Sequence, residues 1–419
     1  MIKKLLDRNI QYNFLSLFNV FIGFLFILYL GRKFGASSQT DIYFLSMVII
    51  SYLGYFIQAI WEAMSPYYIE KRIKDKKKSD ELYSILLNDL ILVSFIVVVI
   101  YFIFIFIFNV ISNQQKDFLN IFIFYIIFQN ILLFNKTILN LEHFYASYYF
   151  VDIFVYLVLF FTVFYFVEKD ITYIAYATLI GTFFANLWQF YLIHKKLNIK
   201  YSFIFYNSNI KEIYKNSFKL KLGSFLYGSK DIIIAAVFTS LGNGLYSLYS
   251  YANKFAGVIM QVINAPIINI FATKATYNIA NLKYDLLKTN IKNVLSQTVV
   301  LFILSGGIIY FLLPTILNLL FDDKFSKNDI FVIQKIFLLL SVFFLISVVQ
   351  SPYGRLLTIF KEFTFQIYIN FIFAGCMIVI YFICNKFEYS YDLFLILLIF
   401  SQLIQFLLNY FFLKNKRYL

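Results

Sequence analysis

Histidine and cysteine are almost absent from this chain of 419 residues, with two of each. His143 and His194 lie far apart in sequence, which argues against a His-based metal or hydrolase centre. Cys376 and Cys384 fall in one apolar stretch, two helical turns or roughly 12 Å apart, beyond disulfide reach. They signal neither a metal site nor redox chemistry. Charge is scarce too, at 14% of residues, where a soluble domain averages about 25%. No Walker A glycine loop occurs, which excludes ATP hydrolysis of that kind. The four prolines, Pro66, Pro266, Pro314 and Pro352, all fall near ends of expected helices, where helix termination explains them. No cofactor and no catalytic residue is expected.

What fills the chain is apolar: 61% of residues, against about 45–50% in soluble domains. Folded in water, such a chain would expose more hydrophobic surface than water tolerates, so lipid is the expected solvent. Phe (55) and Tyr (35) are abundant. Interfacial belts and A/T-rich coding both account for that, so no function is read from it. A spanning helix needs about 20 mostly apolar residues. Twelve stretches qualify, near 12–30, 42–65, 84–108, 118–139, 148–167, 171–193, 222–241, 245–269, 292–313, 328–350, 357–383 and 391–413. The N-terminus is basic and then apolar to Leu30 with no small-residue cleavage site, which predicts a retained first helix.

The segment 194–221 contains seven lysines mixed with Tyr and Phe and is too polar to span. It is expected to be a basic amphipathic linker on the cytoplasmic membrane surface. It divides the chain into an N-terminal lobe, 1–193 with helices 1–6, and a C-terminal lobe, 222–419 with helices 7–12. With both termini cytoplasmic, inner segments hold 26 of the 36 basic residues and outer loops seven. That asymmetry sets orientation and accounts for most of the net charge of +14, so no nucleic-acid partner is expected. The fold class is therefore all-α integral membrane, with about twelve transmembrane helices in two six-helix lobes around a central cavity. The two halves share Gly-containing turns, Gly31–Gly35 and Gly242–Gly244, and the dipeptides Ser65-Pro66 and Ala265-Pro266. Six helices each gives a parallel repeat, a design found in transporters.

Ionisable residues within spans face an aqueous cavity or a partner. Lys254 lies deep within helix 8, too far from either end to snorkel easily, and is the leading candidate. Lys230 and Asp231 are adjacent in helix 7. Neighbours on a helix point about 100° apart, so their partners are expected on other helices. Asp41 opens helix 2, where the helix dipole alone would favour an acid. Glu62 lies near the other end of that helix, and Arg32 and Lys33 at the outer end of helix 1. Asp89 and Asp152 are expected at the cytoplasmic interface, and Lys335 is expected to snorkel outward.

The stretch Leu30-Gly-Arg-Lys-Phe-Gly-Ala-Ser-Ser-Gln-Thr-Asp-Ile-Tyr-Phe-Leu45 resembles the helix 1–2 junction of bacterial polysaccharide flippases. These belong to the multidrug/oligosaccharidyl-lipid/polysaccharide exporter superfamily. Phe34-Gly-Ala36 with Thr40-Asp41 is most similar to the mouse-virulence-factor branch, which includes lipid II flippases. Trp61-Glu-Ala-Met-Ser-Pro-Tyr-Tyr-Ile69 and Ala252-Asn-Lys-Phe-Ala-Gly-Val258 are similar to the branch's helix 2 end and helix 8 signature. The departures are apolar Val20 and Phe26 where helix 1 of that branch carries cavity-facing arginines, Ala63 in place of Gly, and twelve helices instead of fourteen.

The resemblance implies a transporter, not an enzyme, in a bacterial cytoplasmic (inner) membrane. The cargo it implies is an O-antigen, capsule or similar repeat unit on polyprenyl pyrophosphate, moved outward by alternating access. Lys254 is expected to bind phosphate, with Lys230 and Arg32 secondary and Asp41, Glu62 and Asp231 balancing charge or coupling transport to H+ or Na+. Membrane lipids and glycan polymerase machinery are the expected partners. A cation-coupled multidrug exporter is the alternative, though it would favour acidic cavity residues. A membrane-embedded glycan polymerase or acyltransferase would need a large outer loop or a His centre, and neither is present.

Overall fold

A computed structural model describes residues 2–61, 63–108, 113–166, 170–205, 210–281, 283–321, 324–360, 362–387 and 390–416. These residues form α-helices joined by short turns, with no β-strand among them. The chain divides into two compact units. The first comprises residues 1–33 and 42–225, and the second residues 34–41 and 226–419.

The first unit is built from α1 (Ile2–Phe34), α2 (Ser38–Gln58), α3 (Met64–Lys74), α4 (Lys76–Phe108), α5 (Asn113–Phe122), α6 (Tyr125–Leu141), α7 (Tyr145–Phe166) and α8 (Thr172–Tyr191). A π-helical turn, Leu192–Lys196, follows α8. The division between units falls inside α9 (Ile210–Leu241). The second unit continues with α10 (Leu245–Ile259), a π-helical turn Met260–Asn264, α11 (Ala265–Ala280), α12 (Tyr284–Phe321), α13 (Lys327–Ile359), α14 (Phe363–Phe387) and α15 (Tyr391–Asn415).

Ten helical stretches among the described residues are long and apolar enough to cross a membrane. The other two expected spans are helical but differ in kind. Thr172, Thr178, Thr182, Asn186 and Gln189 dilute the apolar character of α8. The eighth span contains a π-helical turn and continues as helix to Ala280. The large apolar side chains that face outward, such as Phe95, Ile100 and Ile103 on α4 or Phe311 and Leu319 on α12, are those a lipid solvent accepts.

Two expectations change. Pro314 and Pro352 do not end helices; they lie inside α12 and α13. Neighbouring helices and Ser or Thr side chains make a freed carbonyl tolerable in a membrane, and Ser347 and Ser351 beside Pro352 bond back to Phe343 O and Ser347 O. The segment 194–221 is not one surface linker. Its end, from Ile210, is the start of α9. Past a left-handed Asn198 (φ 51°), residues 199–205 form no regular secondary structure and are bonded to α4.

Within the first unit α8 packs on α7 and α6, and α4 on α3 and α6. Within the second, α13 is the central helix, packed on α15, α12 and α10. Leu287, Tyr353, Leu356, Leu357 and Leu413 join Phe271 and Ala275 in one buried cluster there.

Candidate substrate-binding site

The segment Phe34–Asp41 belongs to the second unit because of specific contacts. Gly244 precedes α10 with a left-handed φ of 82°. A Cβ there would lie 2.6 Å from Ala36 O, so only glycine permits this approach. Gly35 (φ 65°) is similarly tight, with Lys324 O 3.0 Å from a would-be Cβ. Asp41, buried at 6% exposure, accepts hydrogen bonds from the amides of Gly244 and Ser247, both at 2.6 Å. The Ser247 hydroxyl bonds both Asp41 and Thr40. Tyr251 OH donates to Gly35 O at 3.2 Å. Asp41 therefore caps the orphan amides of α10, while Ser37 and Thr40 cap the start of its own helix. The two glycine turns that look like repeat equivalents in sequence lie against one another.

Lys254 lies ten residues past Gly244, about 15 Å along the helix. The first turns of α10 are buried on almost every side, from Tyr246 through Ala252. Beyond them a stripe opens: Asn253, Gly257 and Val258 are half-buried and Lys254 is exposed. A Cβ on Gly257 would meet nothing within 4 Å. Among the described residues Lys254 makes no hydrogen bond and no ion pair. The π-helical turn that follows is a geometry frequent at functional sites.

Lys230 and Asp231, expected to find partners on other helices, pair with each other at 3.2 Å. The flexible lysine arm spans the angle that separates the two positions. Lys230 Nζ also sits 4.2 Å above the Tyr227 ring, which stacks on Phe373 of α14. Its charge is therefore partly neutralised, and Asp231 is half-exposed. Arg32 is exposed in the last turn of α1. Glu62 lies outside the described residues. Phe26, one of the two apolar departures on α1, is fully buried against Tyr43, Tyr156 and Phe160. Val20, the other, is half-buried.

Other charges are absorbed structurally, through partners that no local sequence pattern marks. Lys136 is buried and holds Asp152 at 2.6 Å, with Asn19 also donating to Asp152. Asp152 is therefore an internal partner, not an interfacial acid. Asp89 accepts a hydrogen bond from Tyr214. Lys335 pairs with Asp392 at 2.6 Å. Arg72 binds Glu142 at 2.8 Å, Asp80 at 3.3 Å and Leu197 O at 3.0 Å. Burial and the Glu142 carboxylate raise the Tyr68 phenol well above its ordinary value, so it stays a donor to Glu142.

One face of α4 holds residues 200–204. Asp80, Ser84 and Asn88 recur every four residues, about 6 Å apart. Alternate residues of an extended chain recur at about 6.6 Å. The two repeats match. Asp80 accepts from Lys200 N at 3.1 Å, Ser84 Oγ from Ser202 N at 3.0 Å, and Asn88 donates to Ile204 O at 2.9 Å.

A profile of the family described as lipid II flippase MurJ matches residues 30–353. Among solved structures, a lipid II flippase MurJ in an inward closed conformation aligns with a TM-score of 0.80 at 17% identity, covering 97% of this chain and 87% of that one. An inward-facing multidrug resistance MATE family transporter of the MOP superfamily aligns at 0.74 and 12% identity, covering 96% and 95%. An outward-facing transporter of the same description aligns at 0.61 and 14%, covering 96% and 92%. These likenesses give the two-lobe transporter fold. The curated protein sequences contain no match.

Proposed function

The chain belongs to the lipid II flippase MurJ family, and from that premise we propose that it moves a polyprenyl-pyrophosphate-linked glycan precursor from the cytoplasmic to the outer leaflet of a bacterial inner membrane by alternating access. Lys254 is the observation that carries the reading. A lysine without an ion partner deep in a membrane helix is costly unless water or an anionic ligand meets it. The cargo's pyrophosphate is such an anion, and a lysine suits it as a point charge. Lys230, softened by Asp231, and Arg32 are secondary contacts. Asp41 acts by fixing α10 and with it the position of Lys254. Both termini face the cytoplasm in this reading, on the side rich in basic residues.

The family match favours the peptidoglycan precursor lipid II as cargo. An O-antigen or capsule repeat unit is the second reading, favoured by the apolar residues Val20 and Phe26 on α1. Carrying one negative charge out through 100 mV releases about 2.3 kcal/mol, so membrane potential suffices as a drive; H+ or Na+ coupling would show as a dependence on either gradient.

The test is flipping in proteoliposomes under an imposed potential, with lipid II and an O-antigen-type lipid offered separately. Potential-dependent transfer that Lys254→Ala abolishes and Lys254→Arg keeps is the expected result. Efflux of organic cations with no movement of either lipid would replace this reading with a drug exporter.

A further inference from the structure

An apolar furrow of about 500 Å3 runs along the α7–α8 pair, lined by Phe150, Phe154, Phe184, Leu187, Trp188 and Tyr191. Its origin lies in residue size. Ala177, Gly181 and Ala185 repeat every four residues on α8 and are buried. A Cβ on Gly181 would lie 3.5 Å from the Val158 side chain and 3.6 Å from Val155 Cα. Small residues bring the two helices close along this line, and the large side chains on either flank then stand up as the walls. All but Phe154 of the named lining residues are exposed, between 46% and 53% for Phe150, Phe184, Leu187, Trp188 and Tyr191. Trp188 and Tyr191 stack on each other, as aromatic pairs do at a lipid–water boundary.

One turn beyond Tyr191 the surface turns basic. Lys195 and Lys196, in the π-helical turn Leu192–Lys196, are both exposed, as is Lys200 after them. Neither Lys195 nor Lys196 makes an ion pair among the described residues. An apolar trough that ends at an aromatic rim and then at unneutralised ammonium groups complements one kind of molecule, a lipid with a hydrocarbon chain and a phosphate head.

We propose that the α7–α8 furrow is a binding site for an anionic phospholipid, one acyl chain lying against Phe184 and Trp188 and the headgroup phosphate meeting Lys195 and Lys196. The charge order carries the assignment. A neutral lipid would fill the trough but leave the lysines unmet. The site is formed wholly within the first unit, on helices other than the one that carries Lys254.

The chain has two tryptophans. Trp61 is buried at 7%, so Trp61→Phe leaves Trp188 as the reporter. The variant is reconstituted in phosphatidylcholine with rising fractions of acyl-brominated phosphatidylglycerol or acyl-brominated phosphatidylcholine, and Trp188 quenching is read. Each lysine near an anionic headgroup enriches it about fivefold, so brominated phosphatidylglycerol should quench at a mole fraction on the order of tenfold lower. Lys195→Gln with Lys196→Gln should merge the two curves. Equal quenching by the two lipids, or a preference that survives the double substitution, overturns the proposal. So does relief of quenching by unbrominated polyprenyl phosphate at trace fractions, which would give the furrow to the cargo's carrier lipid.

Discussion

Asp41 and Gly244 are 203 residues apart in sequence, yet the Gly244 amide donates to the Asp41 carboxylate at 2.6 Å. A second amide and a hydroxyl, both of Ser247, complete the shell. Phe34-Gly-Ala36 with Thr40-Asp41, the stretch that resembles a flippase signature, thus has a physical role. It anchors the start of the helix that bears Lys254.

Asp41→Ala should therefore act on stability first. It leaves buried backbone donors unmet, a loss of about 1–3 kcal/mol, and removes a cap worth about 1 kcal/mol. Asp41→Asn keeps one acceptor and should lie between the alanine variant and the parent. Thermal unfolding in detergent reads the order. Transport lost at unchanged melting temperature would assign Asp41 to ion coupling instead.

Lys254 should behave in the opposite way. It has no partner among the described residues, and an unpaired cation within a membrane helix is costly, so Lys254→Ala should not lower the melting temperature. Loss of a charge contact to phosphate should slow flipping by at least tenfold, about 1.4 kcal/mol. Lys254→Arg should retain most of the rate. A large drop in melting temperature for Lys254→Ala would make the residue structural.

What is legible in the sequence depends on whether the signal is local. Helical spans follow from runs of apolar residues, and Lys254 stands out because a cation in such a run is costly. The partner of Asp41 is not legible, because a cap supplied across 203 residues leaves no mark near either end. Asp152 looks interfacial because its distance from a helix end is visible, whereas Lys136, on another helix, is not. Separate partners for Lys230 and Asp231 follow from helix geometry alone, which fixes where Cβ atoms point but not where a long side chain ends. Pro314 and Pro352 look like terminators under the rule for soluble helices, which does not hold in spans that neighbours support.

The Lys136–Asp152 pair gives a third prediction. Lys136 is buried, and its loss strands a carboxylate that is 25% exposed. Lys136→Met should cost about 3 kcal/mol, at the low end for a broken buried pair because water and Asn19 still reach Asp152. Lys136→Met with Asp152→Leu should recover most of the loss, since an apolar pair of similar volume is often no less stable. Melting temperatures of the two single variants and the double variant close the cycle. Additive losses would show that the two residues act independently.

The α4 ladder makes the last case. Ser84 Oγ accepts from Ser202 N, and Asn88 bonds Ile204 O and receives Tyr201 OH. Leu197 and Ile199 are buried, but past them Tyr201 and Phe203 are exposed at 45% and 76%, so these bonds are what holds residues 200–204. Ser84→Ala removes the acceptor for one amide and Asn88→Leu removes a side chain that ties two points of the chain. At about 1 kcal/mol per bond, the double substitution should raise amide exchange of residues 200–204 on the order of tenfold while α4 itself stays protected. Protection unchanged in that segment would mean that something other than the ladder holds it, and the four-residue spacing of Asp80, Ser84 and Asn88 would then be incidental.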